Sequence, residues 1–245
     1  MRSRRGQVPP ESCARKGRDN PLGKAKTIIQ PSEEWDMSYC NWGDTSEVNL
    51  RYHDAEWGVP LHDDRRQFEF LMLEVMQCGL NWNMMMLKRE IFRKCFEDFN
   101  YDRIANYGEE EIIRILETPG MIRSRRKVEA VIANARCFQA VRAEFGSFCD
   151  YLWAYSGGKT ILYDRHAKGW IPASNGLSER ISQDLKKRGF KYLGPTTLYS
   201  HLQACGMIND HDRNCPCYAR INASNPTVRK RPEAEVGVQY FGEER

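Results

Sequence analysis

The sequence predicts an all-α fold, and three observations carry that prediction. Apolar residues recur at helical spacing in successive segments, start and stop residues bracket those segments, and strand signals are confined to Thr160–Tyr163. The clearest helix opens near Asp64. Asp64 with Gln67 three residues on has the form of a capping box, and Phe68, Leu71, Met72, Val75 and Met76 then follow at i, i+3, i+4, i+7 and i+8. Further helices fit residues 89–96, 109–117, 124–138 and 178–188, the last stopped by Gly189. From Leu185 to Leu202 the chain then reads helix, short turn, helix, the outline of a helix-hairpin-helix. Gly194 lets the backbone approach a phosphate closely, and Pro195 with the threonines after it suits a helix start whose free N–H groups favour an anion. Many helical proteins contain such a turn, so the pattern alone is weak. A second candidate anion site is Thr118-Pro119-Gly120-Met121-Ile122, followed by Arg123, Arg125, Arg126 and Lys127.

At 245 residues with 41% hydrophobic content, the chain can build one large core or two small ones. No stretch approaches the roughly 18 apolar residues of a membrane span, and Met1-Arg2-Ser3-Arg4-Arg5-Gly6 leads into proline and charge, not a signal sequence. The expected compartment is the cytoplasm. Nine scattered cysteines, an odd number, read as reduced thiols and ligands and not as a disulfide frame. The net charge of +4 says little about nucleic acid. The first thirty residues hold eight Lys/Arg against two Asp/Glu, which leaves the remainder at −2, so a DNA-binding face must be a local patch. Residues 1–36, rich in Arg, Lys, Pro, Gly and Ser, are expected to form a flexible basic leader, 37–220 the folded domain, and 221–245 a disordered tail.

Two fragments far apart in the chain each supply one Cys and one His: Cys40-Asn41-Trp42 with Tyr52-His53, and His211 with Cys215 in Asn209-Asp210-His211-Asp212-Arg213-Asn214-Cys215. Two thiolates and two imidazoles complete a tetrahedral zinc shell, and the i, i+4 spacing of His211 and Cys215 lets one turn present both. No CxxC pair is present, so spacing leaves open that Cys40 and His53 are unrelated to a metal.

The fragments combine into a resemblance. Tyr-His-Asp-x-Glu-Trp-Gly (52–58), Leu-Glu-x-x-Gln-x-Gly-Leu-x-Trp (73–82), Lys-Lys-Arg-Gly-Phe-Lys-Tyr-Leu-Gly (186–194) and Gln-Ala-Cys-Gly-Met-Ile-Asn-Asp-His (203–211) look like bacterial DNA-3-methyladenine glycosylase I, over about Cys40 to Tyr218. The resemblance implies a helix-hairpin-helix DNA glycosylase fold with a structural zinc joining the two ends of the domain through Cys40, His53, His211 and Cys215. Cys217 is the one competitor for Cys215. It further implies a monomeric base-excision enzyme that acts on alkylated double-stranded DNA, with no protein partner and no membrane.

Excising a base requires flipping it into a pocket with flat apolar walls. Tyr52, Trp57 and Trp82, with Trp42 beside a metal ligand, are the candidate walls, and their faces also attract a cation such as an alkylated adenine. Glu74, matching the family's pocket glutamate, is the candidate catalytic residue, expected on the flank of an amphipathic helix and partly buried. Asp210 is the runner-up. Leu80 is the candidate wedge into the gap left by the flipped base. Gly194, Thr196, Lys187 and Lys191 are candidate DNA contacts, with Lys186 and Arg188 beside them. The stretch Asn83-Met84-Met85-Met86-Leu87 is richer in methionine than the family pattern and suggests an altered pocket wall.

Two other functions compete. A zinc-dependent nucleobase hydrolase of the deaminase type would need HxE with PCxxC, whereas the chain offers His53-Asp54-Ala55-Glu56 and Cys215-Pro216-Cys217. A non-catalytic, zinc-stabilised nucleic-acid-binding module would bind DNA without releasing a base.

Overall fold

Helix α2 (Asp64–Gln77) is the axis of the molecule, with every residue from Gln67 to Met76 buried. A run of ten consecutive buried residues requires neighbours on every side of the helix, and α3 (Trp82–Cys95), α6 (Arg125–Phe145), α7 (Phe148–Ala154) and α9 (Pro195–Ala204) enclose it. Helix α1 (Glu47–Ala55) packs on α3, α4 (Tyr101–Ile104) and α5 (Glu109–Glu117) on α6, and α8 (Gly176–Lys187) on α9. In this computed structural model the described residues are 40, 42–43, 46–164, 166, 171–231 and 239–240. The expected leader, 1–36, lies outside them.

Tertiary partners override several local signals. The N-cap of α2 is Asp63, which accepts from Arg66 N at 2.8 Å. Asp64 instead faces α7, accepting from Phe148 N at 3.1 Å, Cys149 N at 2.9 Å and Arg142 Nε at 2.9 Å. It therefore caps a different helix. Gln67 is buried, its amide nitrogen 3.0 Å from His201 Nε2, so the expected capping box does not form. Helix α3 starts earlier than the expected 89 because Asn81 caps it, accepting from Asn83 N at 2.7 Å. Helix α6 continues past 138 until Gly146, whose φ of 87° turns the chain.

The all-α expectation also needs correction, because the fold is mostly helical. Strand β1 (Thr160–Tyr163) forms where expected, and β3 (Thr227–Lys230) pairs with it in parallel, from Thr160 opposite Thr227 to Tyr163 opposite Lys230. Strand β2 (Pro172–Ser174) pairs antiparallel with β4 (Gln239–Tyr240). The expectation of a disordered tail from 221 fails for its first part. Helix α10 (Pro216–Ser224) buries Ile221, and β3 takes up the hydrogen-bonding edge that β1 would otherwise leave open. Residues 232–238 and 241–245 of that tail lie outside the described residues.

The α8–α9 connection is a tight hairpin, with Gly189 at φ 94° and Tyr192 at φ 60°. Asn134, fully buried on α6, clasps its main chain from both sides. It donates from Nδ2 to Lys191 O at 3.1 Å and accepts from Lys191 N at 2.7 Å. Ser182 adds a bond to Leu193 O at 2.7 Å. Buried polar groups satisfied in this way hold one backbone conformation.

Candidate active site

A cavity of about 310 Å³ opens against α2 and is lined by Trp42, Tyr52, Trp57, Glu74, Gln77, Trp82, Ile171, Ser200 and Gln203. All five residues proposed from the sequence as pocket walls or acid are brought together here. Tyr52 comes from α1, Trp57 from the turn after it, Glu74 from α2 and Trp82 from the start of α3. The rings form a continuous wall. Trp42 meets Trp57 edge to face at 4.8 Å between centroids, and Tyr52 lies 5.2 Å from Trp82. Trp82 Nε1 is buried with no hydrogen-bond partner among the described residues, so the wall leaves a donor for a ligand.

Two carboxylates on α2 show what this environment does. Glu69 is 6% exposed and accepts from Arg89 Nε and Arg93 Nε at 2.8 Å each. Burial opposes its charge, but the two guanidinium groups outweigh burial and hold its carboxyl below the usual range. Glu74 is 4% exposed, and burial alone pushes its carboxyl up to about 8. The expected half-buried flank position is thus replaced by full burial, because α2 is covered on every side. Burial, then the charge of Glu74, also holds the Tyr52 hydroxyl well above the ordinary phenol range. The cavity therefore offers aromatic faces, a phenol and one acid poised to gain or lose a proton near neutral pH.

Behind the aromatic wall lie Cys40, His53, His211 and Cys215, all buried, their donor atoms within 4.8 Å of one another. His211 Nδ1 is 3.5 Å from Cys40 Sγ and 3.6 Å from Cys215 Sγ, and His53 Nε2 is 3.7 Å from Cys215 Sγ. A tetrahedral ion with bonds of about 2.0 Å to nitrogen and 2.3 Å to sulfur spaces its ligands by roughly 3.5 Å, so the donor set fits one. The other ring nitrogens are already engaged: His53 Nδ1–H donates to Asp54 Oδ1 at 2.8 Å, and His211 Nε2–H to Trp57 O at 3.0 Å. Each imidazole thereby turns its lone pair inward, the usual task of outer-shell partners. Hydrogen bonds from Cys217 and Cys40 pull the Cys215 thiol far below its ordinary range. Cys217 itself groups with His53 and Asp54, not with the four.

The remaining candidates are dispersed. Leu80 is half-buried in the turn between α2 and α3. Lys187, Lys191, Gly194 and Thr196 are exposed around the α8–α9 hairpin, with Gly194 the N-cap of α9. Arg188 is not available for phosphate, because it pairs with Glu144 and Asp184. Asp210 does not line the cavity. It is buried and accepts from Tyr199 Oη at 2.7 Å, Gln203 Nε2 at 2.9 Å and His166 Nδ1 at 2.7 Å. The methionine-rich stretch does not line the cavity either: Met85 and Met86 are core and Met84 is exposed. Sequence reasoning missed Gln77, Ile171, Ser200 and Gln203. Gln77 follows Glu74 at i+3, a spacing that would have found it. Gln203 opens the 203–211 motif without being singled out there, and nothing local marks Ile171 or Ser200.

Residues 42–218 match the sequence model of the family described as methyladenine glycosylase. The chain is 38% identical over 182 residues to DNA-3-methyladenine glycosylase 1 of Escherichia coli K12, covering 74% of this chain and 97% of that protein. Among solved structures, a crystal structure of 3-methyladenine DNA glycosylase I superposes with a TM-score of 0.69 at 41% identity, over 74% of this chain and 99% of that one. The Staphylococcus aureus 3-methyladenine DNA glycosylase I, solved for its recognition of 3-methyladenine, superposes with a TM-score of 0.69 at 35% identity, over 74% and 96%.

Proposed function

The chain belongs to the methyladenine glycosylase family, and from that premise we propose that it is a monofunctional base-excision DNA glycosylase releasing 3-methyladenine from alkylated double-stranded DNA. The observation that carries this reading is Glu74, buried in an aromatic cavity with burial alone acting on its charge. Such a carboxyl is costly to the fold unless a ligand uses it.

The alkylated nucleotide is flipped out of the stack into the cavity, where Tyr52, Trp57, Trp82 and Trp42 offer faces to its cationic ring. Glu74, giving up its proton as the cationic base enters, accepts from the exocyclic amine and stabilises the positive base, while Trp82 Nε1 donates to a ring nitrogen. The glycosidic bond breaks with its electron pair leaving on the base, which departs neutral, so no strong general acid is needed. Water adds to the oxocarbenium-like sugar carbon and gives up a proton. Leu80 fills the vacated stack. Lys187 and Lys191, with the N-terminus of α9 at Gly194 and Thr196, hold the phosphates of a helix-hairpin-helix contact.

Cys40, His53, His211 and Cys215 would hold a zinc ion. Four protein donors complete its shell, so its contribution is structural, pinning the two ends of the domain together. The enzyme on this reading is a cytoplasmic monomer.

Titration with free 3-methyladenine, followed by tryptophan fluorescence, tests the pocket. Saturable quenching that Glu74→Gln weakens about tenfold supports it. Quenching unchanged in the variant would remove Glu74 from the site.

A further inference from the structure

Residues 78–81 join α2 to α3 between two cavity residues, Gln77 and Trp82, and carry the half-buried Leu80. The turn closes on itself through Leu80 N donating to Gln77 O at 2.6 Å, and Leu80 packs against the core. Gly79 is exposed at φ 77°, with open space where a side chain would stand. Further support comes from outside it. Lys127, on the first turn of α6 and only 9% exposed, donates from Nζ to Met76 O at 2.7 Å and to Cys78 O at 2.8 Å. A buried ammonium on the last carbonyls of a helix satisfies acceptors the helix cannot pair itself and complements its dipole. The Cys78 thiol lies 3.7 Å from Thr197 Oγ1 and 3.8 Å from Tyr192 O, which ties the same turn to the α8–α9 hairpin.

The basic run from Arg123 to Lys127, expected from its sequence to attract an anion, thus spends its last charge internally. We propose that Lys127 is a positioning residue: by holding the Met76 and Cys78 carbonyls it fixes the height of the 78–81 turn, so that Leu80 enters a DNA duplex while the hairpin grips the backbone. This inference rests on the glycosylase reading above. Lys127 is neither a cavity-lining residue nor a proposed phosphate contact, and although the carbonyls it binds flank Gln77, its effect is expected chiefly in work done on duplex DNA.

Lys127→Met removes the donors and keeps the aliphatic stem. Two quantities are compared with the parent: release of 3-methyladenine from methylated duplex, and quenching of tryptophan fluorescence by the free base. Duplex release is expected to fall roughly tenfold or more, since small misplacements of positioning groups are costly, while free-base affinity stays within about twofold. Leu80→Ala should lower duplex release in the parent and add little in the Lys127→Met background, the mark of two residues acting as one unit. Equal losses in both assays, unchanged duplex release, or additive losses with Leu80→Ala would each overturn the proposal. If Lys127→Met does not fold, Lys127→Gln, which retains a neutral donor, is read by the same criteria. A parent inert on DNA would overturn the glycosylase reading, and this inference with it.

Discussion

His211 donates its Nε2 proton to the main-chain oxygen of Trp57 at 3.0 Å, and the two rings meet edge to face at 4.4 Å. One residue belongs to the Cys/His cluster and the other to the cavity wall. A metal ion that fixes the orientation of His211 therefore also fixes a face of the pocket. Atomic emission on purified protein should show one zinc per chain. Stripping it with a strong chelator should lower the thermal midpoint by about 10 °C or more and abolish free-base quenching together. A metal-free protein that melts and binds unchanged would remove the cluster from both roles.

Glu74 should impose a distinctive pH dependence on stability. Its carboxyl is at about 8 in the fold against 4.5 as the ordinary value. Between those limits the folded chain holds a proton that the unfolded chain has lost, so stability falls as pH rises from about 4.5 and levels off above about 8. The full fall is on the order of 5 kcal/mol. Glu74→Gln carries no such charge, so thermal melts of the two proteins should be similar near pH 5, and the variant should become progressively the more stable toward pH 8. A constant difference across that range would contradict the burial argument.

Asn134 should matter to the hairpin and not to the pocket. Its two bonds to the Lys191 main chain are made by a residue with no exposed surface. Asn134→Ala leaves buried backbone groups unpaired and should cost about 3 kcal/mol. In a folded variant, free-base binding should persist while affinity for duplex DNA drops, as read by titration against a labelled oligonucleotide. Equal weakening of both would show that the hairpin and cavity are not separable.

The helices legible in the sequence were those with a one-sided apolar pattern or clear punctuation: residues 109–117 coincide with α5, and the strand at Thr160–Tyr163 stands where expected. Helix α2 was legible as a helix but not as a fully enclosed one, because a stripe at i, i+3, i+4 marks one buried face and says nothing of what covers the other. For that reason Glu74 was expected on a flank and is found buried. The Asp64/Gln67 pair misled because its side chains serve α7 and His201, partners distant in sequence. Tyr52, Trp57, Glu74 and Trp82 were found through the motifs that contain them, whereas Gln77 and Gln203 stand in such motifs without being singled out. Gln203, oriented by a bond to Asp210, depends on how α9 packs, and single-sequence spacing does not encode that. Strand β3 was hidden for a similar reason: a half-exposed strand of Thr, Val, Arg and Lys acquires its identity only from the edge of β1.

The most direct measurement is chromatography of the free bases released when the parent protein and Glu74→Gln are incubated with methylated duplex DNA. The parent is expected to release 3-methyladenine and the variant sharply less. A parent that binds the DNA and releases no base would contradict the glycosylase reading, leaving a binding protein in which Glu74 has no chemical task.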